Sequence, residues 1–194
     1  MHWPFFAAAA NNHTIVKPNL HRATHSHVHG VTLALRSLRH RGYTRVGYMN
    51  TFSAEDRVND GWLAGYLAYC CRVQQTIEVP PLLMQDWDKA AVNRWLKKYR
   101  PQAVIGAGPK PPQLLGELGF KVPEDIGYVS LDCTSEEPRV AGINQLRKQI
   151  GRKVVELVVE QLESNELGLP AFPKTVMVDG IWQDGVTLRA LPAG

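Results

Sequence analysis

Segments with a helical spacing of apolar residues alternate with short apolar runs along most of this chain. In one such segment Val31, Ala34, Leu35 and Leu38 follow the i, i+3, i+4, i+7 pattern of one helix face. The short apolar runs predict strands near residues 46–49, 76–79, 103–107 and 127–131. Alternation of this kind indicates an α/β fold, in which a parallel sheet with right-handed crossovers carries helices on both faces.

The same patterns predict elements toward both ends of the chain. Further strands are predicted at residues 5–10, 140–143, 175–178 and 186–189. Further helices are predicted at residues 54–71, 91–99, 114–118 and 150–165.

Composition and charge exclude several classes of protein. The formal net charge of +4 is mild and the basic residues are spread along the chain, so specific nucleic-acid binding by this chain is not expected. Its three cysteines include the adjacent pair Cys70 and Cys71, which favours free thiols and a reducing cytoplasm over a disulfide framework. The apolar start has no preceding basic region, which makes it a poor signal peptide, and no apolar run approaches the ~20 residues of a membrane span.

Motifs that would indicate an enzyme, a metal site or a cofactor are weak. GAGPKP at residues 106–111 lies where a dinucleotide fingerprint would lie, but it lacks the third glycine. His21, His25 and His29 would share one face of a helix and could bind a metal, but a polar helix start is the favoured interpretation. Neither GxSxG nor HExxH is present. We therefore expect no catalytic residues, no metal and no cofactor.

Residues 119–132, GFKVPEDIGYVSLD, have the layout of a helix end, a turn and a strand that finishes on Asp132. In open α/β sheets ligands bind beyond the carboxyl ends of the strands, which makes Asp132 a candidate ligand contact. Trp87 lies between Asp86 and Asp88, ahead of a predicted helix. It could stack on the apolar face of a sugar, or it could be a helix-start staple next to a capping aspartate.

The stretch at 119–132 resembles a signature of the LacI/GalR family of bacterial transcription regulators. The resemblance extends to LALRSLRHRGYTRVGYM at residues 33–49, QIGRKVVELVVEQLE at 149–163 and VDGIWQDGVTLR at 178–189. It implies the two-lobed effector domain of the periplasmic-binding-protein-like type I fold. Residues 21–143 with 172–194 would form a complete C-terminal lobe, and residues 1–20 with 144–171 a remnant of the N-terminal lobe.

The resemblance also implies a ligand site and partners. The implied contacts to a sugar or polyol effector are Asp132, Trp87, Arg57, Gln145 and Asn12. A cytoplasmic homodimer is implied, with operator DNA bound only through a helix-turn-helix headpiece that has no counterpart here. The chain departs from the family pattern at Gly108-Pro109, where an Asn-Asp pair is common, so its ligand chemistry can differ from that of other sugar repressors.

Three hypotheses of different class follow from these observations. The leading one is the small-molecule sensing domain of a LacI-type transcriptional regulator. The second is a solute-binding protein of a sugar transporter, against which the lack of a signal peptide and the free thiols count. The third, a Rossmann-like enzyme, is disfavoured by the broken glycine pattern.

Overall fold

The computed structural model describes residues 3–74, 78–134 and 139–190. Its strands are β1 (Ala9–Asn11), β2 (His21–His25), β3 (Val46–Thr51), β4 (Leu82–Met84), β5 (Ala103–Gly106), β6 (Gly127–Cys133), β7 (Gly142–Asn144), β8 (Thr175–Val178) and β9 (Ile181–Gln183). Its α-helices are α1 (His27–His40), α2 (Phe52–Asp56), α3 (Gly61–Tyr69), α4 (Lys89–Tyr99), α5 (Lys110–Glu117) and α6 (Arg147–Glu163). A 3₁₀ turn at Trp3–Phe5 and a π-helical turn at Cys70–Gln74 complete the set.

The strands form two sheets. The larger has the order β4-β3-β5-β6-β7-β9, and the smaller has the order β1-β2-β8. All neighbouring strands run parallel except β7 and β9, which are antiparallel. The predicted α/β fold with parallel sheets is therefore confirmed.

Helices cover both faces of the larger sheet because successive strand residues point to opposite sides. On β3, Tyr48 packs into the cluster that contains Leu38 of α1 and Tyr66 of α3. The next residue, Met49, packs into the cluster formed with α4 and α5, where Leu96 is buried. The smaller sheet is covered by α6, which buries Ile150 and Leu157 against Ala23.

Helices α1 and α3 come close together at two glycines of α3. A Cβ added at Gly61 would lie 2.8 Å from the His27 Cβ, and one at Gly65 would lie 3.1 Å from the Val28 Cα. The first distance is shorter than real Cβ contacts and the second is tighter than most, so this packing favours glycine strongly at Gly61 and a very small residue at Gly65. The contact fixes the start of α3 against the start of α1.

The helix predicted at residues 54–71 is interrupted. Asn59 and Asp60 have φ values of 53° and 55°, which end α2 and start α3 in a new direction. The buried carboxylate of Glu55 accepts hydrogen bonds from the Tyr48 hydroxyl, from Asn50 Nδ2 at 2.7 Å and from the Leu63 backbone N–H at 3.1 Å. This network links the turn to β3, and helical periodicity alone does not reveal it.

Two predicted strands lie elsewhere. Of the strand predicted at residues 76–79, positions 76 and 77 fall outside the described residues, while Glu78 and Val79 form a bend. The edge strand that pairs with β3 is instead β4, which begins after Pro80 and Pro81. Proline has no backbone N–H to donate within a sheet, so the strand starts beyond these two residues. Residues 186–189 form a turn rather than a strand, and the antiparallel strand precedes them as β9.

The lobe boundaries also differ from the expected ones. The sequence predicts residues 21–143 and 172–194 in one lobe, yet β2 lies in the smaller sheet, where it pairs with β1 on one side and with β8 on the other. Apolar periodicity identifies a strand but not the sheet to which it belongs. The prediction that His21 and His25 lie on a helix was likewise wrong, because both residues belong to β2.

Candidate functional site

A cleft of about 390 Å³ opens between the two sheets. It lies at the carboxyl ends of β1, β5 and β6, where ligands of parallel α/β sheets bind. Residues of both sheets line it: Asn11, Asn12, Thr14, His27, Ala54, Arg57, Val58, Trp62, Ala107, Gly108, Asp132, Gln145, Arg147 and Ile150. Four of the five predicted contacts, Asp132, Arg57, Gln145 and Asn12, are in this set.

An ion pair spans the cleft between the larger sheet and α6. Asp132, at the end of β6, pairs through its Oδ1 with the guanidinium of Arg147, the first residue of α6. The Asp132 side chain is 30% exposed and the Arg147 side chain 59% exposed, so water screens the pair and its contribution to stability is small. The pair leaves Asp132 Oδ2 without a partner among the described residues, and this oxygen can accept a hydrogen bond.

Gln145 lines the cleft where the chain passes from β7 of the larger sheet to α6, the helix that covers the smaller sheet. It is 7% exposed and follows β7, and its Nε2 donates to the Leu131 carbonyl oxygen at 2.8 Å. The next residue, Leu146, adopts a left-handed conformation with φ of 55° before α6 starts. Its backbone N–H donates to Asn144 Oδ1 at 3.0 Å, so the crossover is fixed by hydrogen bonds on both sides of Gln145.

Asn12 follows β1 in a left-handed conformation, with φ of 60°. Asparagine tolerates this conformation better than most residues. Its Oδ1 accepts from Thr24 Oγ1 at 3.2 Å, and its backbone N–H donates to the Ala23 carbonyl at 2.9 Å. These two bonds to β2 orient the side chain, and no described residue takes a hydrogen bond from its amide nitrogen.

The wall of the cleft next to α1 and α3 is aromatic. Trp62, the second residue of α3, packs edge-on to the His27 ring with centroids 5.4 Å apart. The close packing at Gly61 sets this arrangement. Arg57, exposed at the end of α2, lines the same side, and its guanidinium has no salt-bridge partner among the described residues.

The histidines near this wall are neutral at neutral pH. Burial lowers the pKa of His27 to about 3, with the neighbouring rings of His25 and His13 acting in the same direction. Burial also lowers the pKa of His25 to about 4, against the opposing effect of the Val178 backbone. His13 is shifted downward as well, by partial burial and by the Arg22 charge. The His27 imidazole, which lines the cleft, therefore brings polar surface to it and no charge.

Trp87 does not line the cleft. It is half-buried and packs against the cluster that contains Met49, together with Ala91 of α4. Asp88 caps α4, because its Oδ1 accepts from the backbone N–H groups of Ala90 at 2.8 Å and Ala91 at 3.2 Å. The surroundings of Trp87 are those of a helix start.

Three residues of the cleft were not predicted from the sequence: Trp62, His27 and Arg147. Trp62 belongs to a helical apolar pattern, and nothing in that pattern distinguishes it from a core residue. His27 was not proposed because its neighbours His21, His25 and His29 were predicted to share a helix face to which His27 would not belong. A basic residue at a helix start is unusual, since cations are unfavourable at the positive end of the helix dipole. Because the apolar pattern predicts this helix only from residue 150, the position of Arg147 at the helix start is visible in the structure and not in the sequence.

The described part of the chain offers no group of three or more His, Cys, Asp or Glu side chains that could hold a metal ion. Among its helices, none is both long and apolar enough to cross a membrane. The candidate site is accordingly a cleft of polar, charged and aromatic side chains.

Comparison with known proteins assigns the family. The sequence matches the family model described as a periplasmic binding protein-like domain over residues 35–176. The chain belongs to this family. No curated protein sequence matches it.

Solved structures show the same fold at low sequence identity. A LacI transcriptional regulator from a Rhodococcus species has a TM-score of 0.73 at 16% identity, covering 95% of this chain and 70% of its own. The transcriptional regulator CelR in complex with cellobiose has a TM-score of 0.71 at 19% identity, with coverages of 92% and 58%. A LacI family regulator from Enterococcus faecalis with bound ribose has a TM-score of 0.67 at 14% identity, with coverages of 93% and 67%.

These structures confirm the type I periplasmic-binding-protein-like fold that the sequence predicted. This family member spans 58% of the length of the CelR chain and 70% of that of the Rhodococcus chain.

Proposed function

We propose that this chain is the small-molecule sensing domain of a LacI-type transcriptional regulator and binds a sugar or related polyol in the cleft between its sheets. The observation that carries the proposal is the composition of the cleft, to which both sheets contribute polar side chains. Asn12 comes from the smaller sheet, and Asp132 comes from the larger. A ligand that contacts both would hold the two sheets in one relative arrangement.

The size and chemistry of the cleft suit a sugar. Its volume of about 390 Å³ is near the lower end of the range for ligand sites, roughly 300–1,000 Å³. Asp132 Oδ2 can accept a hydroxyl hydrogen bond, and Asn12 can donate one, while Trp62 adds apolar surface. The similar folds of CelR with cellobiose and of the Enterococcus regulator with ribose support a carbohydrate ligand.

The regulator hypothesis extends to the whole protein. In it the domain acts in the cytoplasm as a homodimer, and ligand binding closes the cleft and changes the relation of the two subunits. Operator DNA is contacted through a separate helix-turn-helix headpiece. The LacI-type regulators among the proteins of similar fold support this context.

A thermal-shift screen of monosaccharides, disaccharides and polyols on this chain tests the proposal. A ligand at 100 times its Kd adds about 2.7 kcal/mol to the free energy of unfolding, which raises the melting temperature by several degrees. Failure of every sugar and polyol to shift the melting temperature would contradict the proposal.

A matched pair of variants then tests the location of the site. Asn12→Gly removes the amide but keeps a residue that tolerates a left-handed backbone, and we expect it to weaken binding of a sugar found in the screen roughly tenfold. Asn165→Gly makes the same change at another left-handed asparagine, with φ of 53°, outside the cleft. Equal loss of affinity in both variants would place the ligand elsewhere.

A further inference from the structure

We propose that the ligand is an acidic sugar, a polyol that carries a carboxylate or a phosphate, rather than a neutral one. This inference rests on the proposed function and adds the charge of the ligand to it. It follows from the charges that line the cleft and from which of them are already paired.

The described residues that line the cleft carry an excess of positive charge. Among its lining residues Arg57 and Arg147 are cationic and Asp132 is the one acid. The lowered pKa of His27 keeps that ring neutral at neutral pH. At the end of β5 the lining is Ala107 and Gly108, which bring no carboxylate. Among the described lining residues one positive charge is therefore uncompensated, in a cleft partly enclosed by protein.

The unpaired charge belongs to Arg57. Asp132 is already neutralised by Arg147 across the cleft. The Arg57 guanidinium has no carboxylate within salt-bridge distance among the described residues and is exposed at the cleft. A guanidinium pairs with a carboxylate or a phosphate through two parallel hydrogen bonds, and these are stronger than its bonds to neutral hydroxyls. An acidic group on the ligand is therefore the partner that Arg57 lacks.

A second cation without a described carboxylate partner, Arg22, lies behind the opposite wall. Arg22 is 8% exposed, and its NH1 donates to the Asn12 carbonyl oxygen at 3.4 Å. Its NH2 donates to Asn19 Oδ1 at 3.3 Å, and no described carboxylate pairs with it. Because Arg22 is buried, its charge is screened less than that of a surface arginine. The potential at Asn12 is thus positive as well, so both sides of the cleft favour an anion.

Matched sugars that differ in charge test this inference by calorimetric titration. Suitable sets are D-glucose with D-glucuronate and D-glucose 6-phosphate, D-galactose with D-galacturonate, and D-ribose with D-ribose 5-phosphate. We expect at least one acidic sugar to bind with a Kd at least about tenfold below that of its neutral partner. The uronate and phosphate arms distinguish the two possible acidic groups. The preference should shrink at high salt, since the exposed Arg57 is screened by ions.

Variants of this chain test whether the preference for acidic sugars depends on the charge of Arg57 or on the shape of the cleft. Arg57→Gln should abolish most of the preference, while Arg57→Lys should retain part of it because the charge remains. Asp132→Asn removes the competing anion and should widen the preference, the opposite direction from a general loss of structure. Arg94→Gln, an exposed arginine of α4 outside the cleft, is the matched control and should leave the preference unchanged.

Three results would overturn the inference. If neutral sugars bind as tightly as their acidic partners, the proposed sugar-sensing function stands and the charge assignment is wrong. If the acidic preference survives Arg57→Gln unchanged, the charge acts elsewhere. Binding of no sugar of either charge would remove the proposed function together with this inference.

Discussion

Acidification between pH 7 and pH 5 is predicted to destabilise this domain through its buried histidines. His25 is 1% exposed and His27 is 8% exposed, and burial holds their pKa values at about 4 and about 3 in the folded chain. In the unfolded chain both return to the ordinary value of 6.5. Below pH 6.5 the unfolded state therefore binds protons that the folded state does not.

The sign and size of the effect follow from this difference. Stability is fully present above pH 6.5 and is lost as the pH falls toward the folded-state values. One pH unit within that window costs about 1.4 kcal/mol for each histidine, so His25 and His27 together lower the free energy of unfolding by roughly 3–4 kcal/mol between pH 7 and pH 5. Carboxylates remain mostly ionised in this range, because their ordinary pKa values are about 4. The change in the free energy of unfolding between pH 7 and pH 5 therefore arises mainly from histidine.

Urea unfolding at constant ionic strength, at pH 7, 6 and 5, measures the predicted slope. His27→Gln should be less stable at pH 7, because the ring packs on Trp62, but it should lose less stability on acidification than the unchanged chain. His40→Gln, at the exposed end of α1, should keep the full slope and serves as the control. If the His27→Gln chain and the unchanged chain have the same slope, the buried ring is not the titrating group and the reasoning is refuted.

Three further substitutions, the first with a matched control, test the packing of the domain. Gly61→Ala places a Cβ 2.8 Å from the His27 Cβ and should cost about 1–3 kcal/mol by chemical denaturation, whereas Gly116→Ala, with open space around it in α5, should be neutral or stabilising. Glu55→Ala leaves three buried or half-buried donors without their acceptor and should lower the unfolding free energy by about 3 kcal/mol or more, a loss that an unchanged denaturation midpoint would disprove. Trp87→Ala should lower the melting temperature while leaving the Kd for any sugar that binds the cleft unchanged, since Trp87 packs away from it.

The α/β fold class and several strands and helices could be predicted because these elements carry strong local patterns of apolar residues. β3, β5 and β6 are short apolar runs, and helices α1 and α4 have clear apolar faces. Burial on both sides of a parallel sheet makes such strands apolar throughout, so they are visible without knowledge of their partners.

The elements that were missed depend on contacts distant in sequence. β2 contains His21, Arg22, Thr24 and His25, which no apolar pattern predicts as a buried strand. Its polar groups are accommodated by partners from elsewhere: His21 Nδ1 accepts from the Lys174 backbone N–H, and Thr24 donates to Asn12. Such pairings arise only after the chain has folded, so a single sequence does not display them.

The cleft shows the same division between local and distant causes. Asp132 was predictable because the end of a parallel strand is a position defined by the local pattern. Trp87 lies between Asp86 and Asp88, which also suggested a ligand contact. However, Asp88 caps α4, and the Trp87 ring packs on the core between α4 and the larger sheet. The tryptophan of the cleft is Trp62, positioned by the contact between Gly61 and His27, which lie 34 residues apart in sequence.

The ion pair between Asp132 and Arg147 joins these observations. Asp132 ends a strand of the larger sheet, and Arg147 begins the helix that covers the smaller one, so their pairing spans the cleft that a ligand would enter. A ligand with an acidic group can compete with Asp132 for Arg147 and can pair with Arg57 at the same time. A neutral sugar can offer only hydroxyls to the same groups, and it leaves the bridge between the sheets in place. Under the proposed sensing function, the charge of the ligand would then determine both its affinity and whether binding breaks the ion pair between Asp132 and Arg147.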